Sequence, residues 1–196
     1  GGVIERAKPG AVLIDMTTSS PELARRIAAA AQAKGCSALD APVTGGDVGA
    51  REARLVILVG GSELAFARAY PLFELMGKNI ARHGGPGAGQ LAKLANQIGI
   101  ASAMMAWCEA LTFAKAAGLD PARVLESIGG GAAGSTAMTV LAPRALRGDF
   151  APGFYVKHFI KDMKLALEAA AAMKLDLPGL AQAQRLYDQV SARGWD

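Results

Sequence analysis

The hydrophobic positions in the first half of the chain form short continuous runs separated by helical patterns. Apolar runs of strand length cover residues 11–15, 37–40 and 55–59, and a weaker one covers 79–83. Alanine-rich amphipathic stretches at 21–34 and 62–76 lie between them. Fully apolar strands that alternate with helices are typical of an α/β layer. We therefore predict a mostly parallel sheet covered by helices.

The pattern changes near residues 85–89, where the strand signal ends. Residues 90–117 form a nearly unbroken run of helix formers, closed by Gly118. Further helical segments follow, separated by clear breakers, at 121–128, 135–147, 158–173 and 178–192. The predicted fold class is therefore α/β followed by all-α, with domains at 1–86 and 87–196 and a long helix as the entrance to the second.

Lys93 is the most unusual polar residue of this long helix. It is the only fixed charge between Arg82 and Glu109, and Asn96 and Gln97 follow it by three and four positions. This spacing places both amides beside the amine on one helical face. A desolvated lysine can serve as a proton donor or acceptor. The alternative is a structural lysine that extends its ammonium from the helix edge into water.

Two further polar segments follow predicted strands, where α/β proteins place their ligands. Thr17 lies just after the first strand, and Thr44, Gly45 and Gly46 follow the second. The glycines can expose backbone N–H groups to an anionic ligand. The structural alternatives are a helix N-cap at Thr17 and a plain turn at 44–46. For Lys161, followed by Asp162, the default interpretation is a solvated helix face.

Two stretches match dinucleotide-binding glycine patterns, but neither has the required context. Gly129–Gly134 follows a helix rather than a strand, and the match that begins at Gly87 is followed only by helices. The fingerprint needs a strand before it and a returning strand after the helix. We therefore interpret both as turns or sites of close helix packing.

Composition excludes several other classes. The net charge of +4 comes from scattered residues and aromatic residues make up only 6%, which argues against nucleic-acid binding. Cys36 and Cys108 are far apart and the histidines lack acidic or cysteine neighbours, so no metal site is predicted. The longest uncharged run is too short to span a bilayer and contains polar residues. These features are typical of a cytoplasmic protein with reduced, buried thiols.

The order of the polar segments resembles one family. Asp15-Met-Thr-Thr precedes Asp40-Ala-Pro-Val-Thr-Gly-Gly, then Gly87-Ala-Gly-Gln-Leu-Ala-Lys-Leu-Ala-Asn-Gln, then Ile160-Lys-Asp. This order is similar to that of the β-hydroxyacid dehydrogenases, which include 3-hydroxyisobutyrate dehydrogenase and tartronate semialdehyde reductase. The resemblance covers nearly the whole chain. It implies the second half of a Rossmann-type domain followed by a helical domain, with the glycine fingerprint upstream of Gly1 and a closing helical segment after Asp196.

The resemblance also implies a role for each candidate residue. Lys93 corresponds to the catalytic lysine, and Thr44, Gly45 and Gly46 correspond to the loop that binds the substrate carboxylate. Asn96 and Gln97 correspond to substrate-binding amides, whereas Thr17 and Lys161 correspond to residues near the nicotinamide end of the cofactor. The family usually has Ser where this chain has Thr44.

The implied activity is reversible hydride transfer between NAD or NADP and a small β-hydroxy acid or its semialdehyde. We expect a homodimer or homotetramer formed through the helical domain. The sequence disfavours the 6-phosphogluconate dehydrogenase type, whose catalytic helix resembles the pattern Lys-x-x-His-Asn. The corresponding segment here is Lys93-Leu-Ala-Asn-Gln97, which has no histidine. The alternative from another class is a non-catalytic helical assembly module that binds no cofactor.

Overall fold

The computed structural model describes residues 2–195, which form two compact units. The first unit runs to Asn96 and also includes Glu168–Leu175. The second consists of Gln97–Leu167 and the residues from Asp176 onward. The predicted division of the chain at residues 86 and 87 stays a prediction.

Helices and strands are mixed up to residue 84, and the elements described after it are all helical. The elements are α1 (Val3–Arg6), β1 (Val12–Asp15), α2 (Pro21–Gln32), β2 (Ser37–Asp40), β3 (Val43–Thr44), α3 (Gly46–Arg51), β4 (Leu55–Gly60), α4 (Glu63–Glu74), β5 (Gly77–Gly84), α5 (Ala88–Ala116), α6 (Pro121–Gly129), a π-helical turn (Ala137–Leu141), α7 (Ala142–Leu146), α8 (Val156–Ala172) and α9 (Pro178–Ala192). This succession confirms the predicted fold class.

The sheet is mixed rather than mostly parallel. Strand β1 pairs with β2 in parallel and β4 pairs with β5 in parallel, but β4 runs antiparallel to β2 and β3. The prediction of a mostly parallel sheet was therefore wrong, because β4 and β5 both run opposite to β1, β2 and β3. The physical reason is the short return through α3, because a parallel crossover needs about a dozen or more residues. The sequence pattern missed both β3 and α3.

The core of the first unit lies between the sheet and its helices. Leu39, Ile57, Val59 and Phe73 are almost completely buried there. Helix α2 begins where expected, because the Ser20 side chain accepts a hydrogen bond from Leu23 N and Pro21 occupies the first turn. The strands are therefore packed firmly against the helices, and the polar segments follow the ends of β1 and β2.

The second unit has its own core around Trp107, Leu111, Leu125 and Met138. The helix predicted over 135–147 is interrupted, since it begins with the π-helical turn and continues as α7. Pro143 explains the interruption, because proline cannot donate the backbone hydrogen bond that a regular helix requires at that position. Elsewhere in this unit, the rings of Phe159 and Tyr187 pack edge to face with centroids 5.0 Å apart.

The two thiols have different environments. Cys36 is buried, as expected, whereas Cys108 is exposed, so the prediction of two buried thiols was wrong for Cys108. Although α5 has 29 residues, no helix within residues 2–195 is both long enough and apolar enough to cross a membrane.

Candidate active site

The loop after β1 forms a tight turn that presents Thr17. Asp15 Oδ1 accepts hydrogen bonds from Thr17 N at 2.9 Å and from Thr17 Oγ1 at 2.7 Å. Aspartate commonly closes turns in this way, by accepting from the backbone two residues on. Thr17 is exposed, and the N-cap of α2 is Ser20. The alternative that Thr17 caps the helix is therefore wrong.

Asp40 joins the end of β2 to the start of α5. Its side chain is 5% exposed, and its two carboxylate oxygens accept from Gly87 N at 2.8 Å and Gln90 N at 2.9 Å. Asp15 and Asp40 lie opposite each other in the parallel pair of β1 and β2. The loop after β1, the segment after β2 and the first turn of α5 therefore meet at one edge of the sheet.

Sequence reasoning missed Asp40 as a site residue. A carboxylate at a helix N-terminus satisfies backbone N–H groups that would otherwise lack partners. The usual signal is an acidic residue directly before the helix, but Asp40 lies 47 residues before Gly87 in the chain. Only the fold brings them together.

The glycines of the Gly87 segment serve close packing, as their sequence context predicts. A Cβ on Gly89 would lie 2.4 Å from Leu58 O and 2.5 Å from Asp40 O, so the helix packs directly against strand backbone. Gly87 has a φ of +86°, which glycine adopts without steric cost. The contact of Gly89 is therefore with strands, whereas a Cβ on Gly87 would lie 2.8 Å from Pro21 O in the first turn of α2, so Gly87 permits the start of α5 to approach another helix.

Lys93 lies on α5, in the turn after Gln90. Only 7% of Lys93 is exposed, so the alternative of a lysine that extends into water is wrong. Asn96 is half-buried and Gln97 is 2% exposed on the same helix. A buried ammonium in an otherwise apolar helix is costly to desolvate, so proteins rarely retain one without a partner or a function.

The Thr44 segment is more ordered than a simple loop. Thr44 ends β3 and pairs with Val56 of β4, and Gly46 begins α3. Gly45 and Gly46 have φ values of +123° and +66° and are both exposed. No atom lies within 4 Å of the position that a Cβ on Gly46 would occupy. Two consecutive residues with positive φ leave the backbone open to close approach by a ligand.

In the second unit, Asp162 connects Gln97 with Lys161. Asp162 Oδ2 accepts a hydrogen bond from Gln97 Nε2 at 2.7 Å. Its Oδ1 lies 3.0 Å from Lys161 Nζ, an ion pair without the alignment of a hydrogen bond. The Lys161 side chain is half exposed, whereas that of Asp162 is 2% exposed. The interpretation of this pair as a solvated face was therefore wrong for Asp162, which sequence reasoning did not select.

The predicted residues thus fall into two groups. Thr17, the Thr44–Gly46 segment, Lys93 and Asn96 belong to the first unit, and Gln97 and Lys161 belong to the second. Gln90 is a further residue that sequence reasoning missed. It is fully buried and binds the loop that carries Thr17.

The described residues offer a candidate contact for the nicotinamide end of a dinucleotide but no free turn for its pyrophosphate. Thr17 is exposed beside the carboxyl end of a parallel strand, where nucleotide-binding folds hold their ligand. In contrast, Asp40 already occupies the N-terminus of α5, and a Cβ on Gly134 would lie 2.3 Å from Gly129 O. Neither glycine pattern of the described chain therefore offers a free turn for a pyrophosphate. Residues 2–195 contain no cluster of three acidic, cysteine or histidine side chains suited to a metal ion.

Comparison with known proteins decides the family. Residues 87–196 match the family described as the NAD-binding domain of NADP-dependent 3-hydroxyisobutyrate dehydrogenase. Residues 1–85 match the NAD-binding domain of 6-phosphogluconate dehydrogenase. The chain belongs to the β-hydroxyacid dehydrogenase family. The predicted family is thereby confirmed and, at the level of the family, so are the oxidoreductase class and the NAD or NADP cofactor.

Individual relatives agree with this assignment. The chain is 55% identical to an uncharacterized oxidoreductase of Bacillus subtilis, over 98% of this chain and 67% of the relative. It is 44% identical to the 2-hydroxy-3-oxopropionate reductase of Escherichia coli, over 98% of this chain and 66% of the relative. Among solved structures, 3-hydroxyisobutyrate dehydrogenase of Mycobacterium tuberculosis with L-serine matches with a TM-score of 0.91 and 35% identity, over 99% of this chain and 69% of that one. The chain thus spans about two thirds of the length of these relatives.

Proposed function

We propose that the complete protein interconverts a small β-hydroxy acid and its semialdehyde with NAD or NADP. The observation that carries this proposal is the burial of Lys93, which is only 7% exposed. Lys93 lies one helical turn after Gln90, the residue that binds the Thr17 loop. An amine held away from water is poised for proton transfer at the reacting oxygen. In this role, Lys93 donates a proton to the carbonyl oxygen during reduction and accepts it during oxidation.

The substrate carboxylate is assigned to the Thr44 segment. Thr44 supplies a hydroxyl group, and the exposed backbone of Gly45 and Gly46 supplies N–H groups. Backbone N–H groups in turns of this kind form concave sites for anions. Thr44 carries a methyl group that the serine usual in the family lacks, and we propose that it narrows the range of acids accepted.

The remaining residues are assigned to orientation. Asn96 and Gln97 follow Lys93 by about one turn of α5 and carry amides that can hydrogen-bond to substrate hydroxyl or carbonyl oxygens. Thr17 and Lys161 are assigned to the nicotinamide end of the cofactor. When bound, NAD(P)H supplies the hydride, and the protein supplies alignment and the proton.

The identity of the substrate, the assembly and the location are part of the proposal. The relatives are named for 3-hydroxyisobutyrate and for 2-hydroxy-3-oxopropionate, and in both compounds a hydroxyl or carbonyl carbon lies β to a carboxylate. We propose a substrate of this size, a homodimer or homotetramer formed through the helical domain, and a cytoplasmic location. A nucleic-acid or membrane partner is not expected.

The test compares the complete wild-type protein with Lys93→Ala. NAD(P)H formation is followed by absorbance with 3-hydroxyisobutyrate and D-glycerate, and its consumption with the corresponding semialdehydes. We expect turnover by the wild type and a loss of about 10²–10⁴-fold in kcat for the variant, because that is the usual contribution of general acid–base catalysis. Circular dichroism should show an unchanged fold.

Lys115→Ala is the matched control, since Lys115 is an exposed lysine near the end of the same helix. It should retain wild-type kcat. A Lys93→Ala variant that keeps more than about a tenth of the wild-type kcat would exclude Lys93 as the proton donor. A folded wild-type protein that assembles but turns over none of these acids with either cofactor would favour the non-catalytic module.

A further inference from the structure

Gln90 is a completely buried polar residue whose side-chain amide forms a hydrogen bond through both its nitrogen and its oxygen. Its Nε2 donates to Thr17 O at 2.8 Å, and its Oε1 accepts from Ser19 N at 3.0 Å. The exposed fraction of the residue is 0%. At neutral pH a primary amide can both donate and accept in this way, whereas an ionised carboxylate can only accept. Gln90 therefore hydrogen-bonds to the backbone on both sides of Thr18, at Thr17 O and Ser19 N.

The helix from which Gln90 projects is itself fixed. Asp40 accepts from Gln90 N at 2.9 Å and from Gly87 N at 2.8 Å. There is no space for the helix to shift towards the sheet, because a Cβ on Gly60 would already lie 2.5 Å from Asp40 Oδ1 and 2.6 Å from Gly89 N. The backbone position of Gln90 is thus set by the strands and not by the loop.

We infer that Gln90 is a positioning residue that holds the Thr17 loop in its cofactor-binding conformation. This inference rests on the proposed function, in which Thr17 contacts the nicotinamide end of the cofactor. Thr17 is exposed and its hydroxyl is turned to Asp15, so the loop has no apolar anchor at this residue. Two hydrogen bonds from Gln90 replace that anchor. These bonds also link the Thr17 loop to α5, on which Lys93 follows Gln90 by three residues.

Substitution of Gln90 by glutamate separates this role from simple packing. Glutamate has the same shape, but its ionised carboxylate cannot donate to Thr17 O, whereas the protonated acid can. Burial raises the pKa of such an introduced carboxyl group. We expect the Kd of Gln90→Glu for NAD(P)H to exceed that of the complete wild-type protein by about tenfold at about pH 9, where the carboxyl group ionises, and to return towards it at about pH 6.

Two further variants complete the design. Gln90→Met keeps the volume and loses both hydrogen bonds, so its Kd should rise by about tenfold at every pH. Gln32→Glu makes the same charge change at an exposed position in the first unit and should bind like the wild type. The charged neighbours Asp15, Asp40 and Lys93 are common to all proteins, so a pH effect confined to Gln90→Glu originates in the new carboxyl group.

Titration of NAD(P)H fluorescence, with thermal midpoints on the same samples, decides the outcome. Lower midpoints for Gln90→Glu and Gln90→Met with Kd within about twofold of the wild type would overturn the inference and leave the proposed function standing. A change in kcat with an unchanged cofactor Kd would also overturn it. If the wild type itself binds neither NADH nor NADPH, the proposed function fails and the inference fails with it.

Discussion

Asp162 illustrates what a single residue needs in order to keep a charge inside a protein. Its carboxylate is nearly inaccessible, yet one oxygen receives the Gln97 amide and the other faces the Lys161 ammonium. An ion taken out of water without such partners would cost several kcal/mol. The ammonium is half exposed, so it keeps part of its hydration while it neutralises the buried partner. The pair therefore orients Gln97 on α5 and restricts Lys161 on α8.

A substitution at Gly46 tests the proposal that the Thr44 segment binds the substrate carboxylate. Gly46→Val places a β-branched side chain at a φ of +66°, a conformation that costs an L-residue about 1–2 kcal/mol. The new side chain also occupies the space through which a carboxylate would approach. We expect a lower thermal midpoint, a strongly reduced kcat/KM for the acid and nearly unchanged cofactor Kd.

Gly118→Val is the matched control for this prediction. Gly118 has a φ of +78° and, like Gly46, no atom within 4 Å of the position that a Cβ would occupy. Its substitution should lower the midpoint by a similar amount and leave kcat/KM unchanged. If Gly46→Val behaves in the same way, the segment is only a turn.

At the scale of elements, α5 is positioned by the absence of a side chain at Gly89 in its first turn. Gly89 permits the helix backbone to approach the carbonyl groups of Leu58 and Asp40. The approach brings the N-terminus of α5 to the Asp40 carboxylate. The carboxylate accepts hydrogen bonds from backbone N–H groups there, and its negative charge interacts favourably with the helix dipole. This packing fixes the start of the helix that carries Lys93.

Two alanine substitutions on α5 should have opposite effects on stability. Gly89→Ala introduces a methyl group 2.4 Å from Leu58 O, and we expect a loss of about 3 kcal/mol or more in the free energy of unfolding, because strand backbone cannot move aside. Gly99→Ala, at an open position of the same helix, should gain about 0.5–1 kcal/mol. Denaturant titration of the complete protein measures both, and equal effects would contradict the packing argument.

The elements differ in how well the sequence predicts them, and the reason is the range of the interactions involved. The strands at 12–15 and 55–60 and the helix Pro178–Ala192 follow from apolar runs, caps and breakers within each segment. Strand β3 was missed because two residues carry no periodic pattern, and its pairing with Val56 and Ile57 is a tertiary contact. The antiparallel direction of β4 was missed for the same reason.

The candidate site follows the same rule. The residues that we propose to face a ligand have distinctive chemistry in the sequence, as Lys93 and the paired glycines do. The residues that hold them, Asp40, Gln90 and Asp162, resemble ordinary polar residues until the fold brings their partners close. Their contacts join positions 47, 71 and 65 residues apart. Local patterns contain no information on such pairs.

At the scale of the whole molecule, these separations determine when the site forms during folding. Closure of a chain segment costs entropy before its contacts are made, and distant contacts generally form after local helices and turns. The bonds of Gln90 to Thr17 and Ser19 span 73 and 71 residues. We expect them to be absent from the transition state for folding.

Gln90→Met should therefore accelerate unfolding and leave the refolding rate nearly unchanged, in stopped-flow experiments on the complete protein. An equal change in both rates would place the contact in the folding nucleus instead. The expected result has a meaning for the working protein. If these bonds form late, they should also break early, so we expect the Thr17 loop, our proposed cofactor contact, to open while the sheet beneath it remains intact.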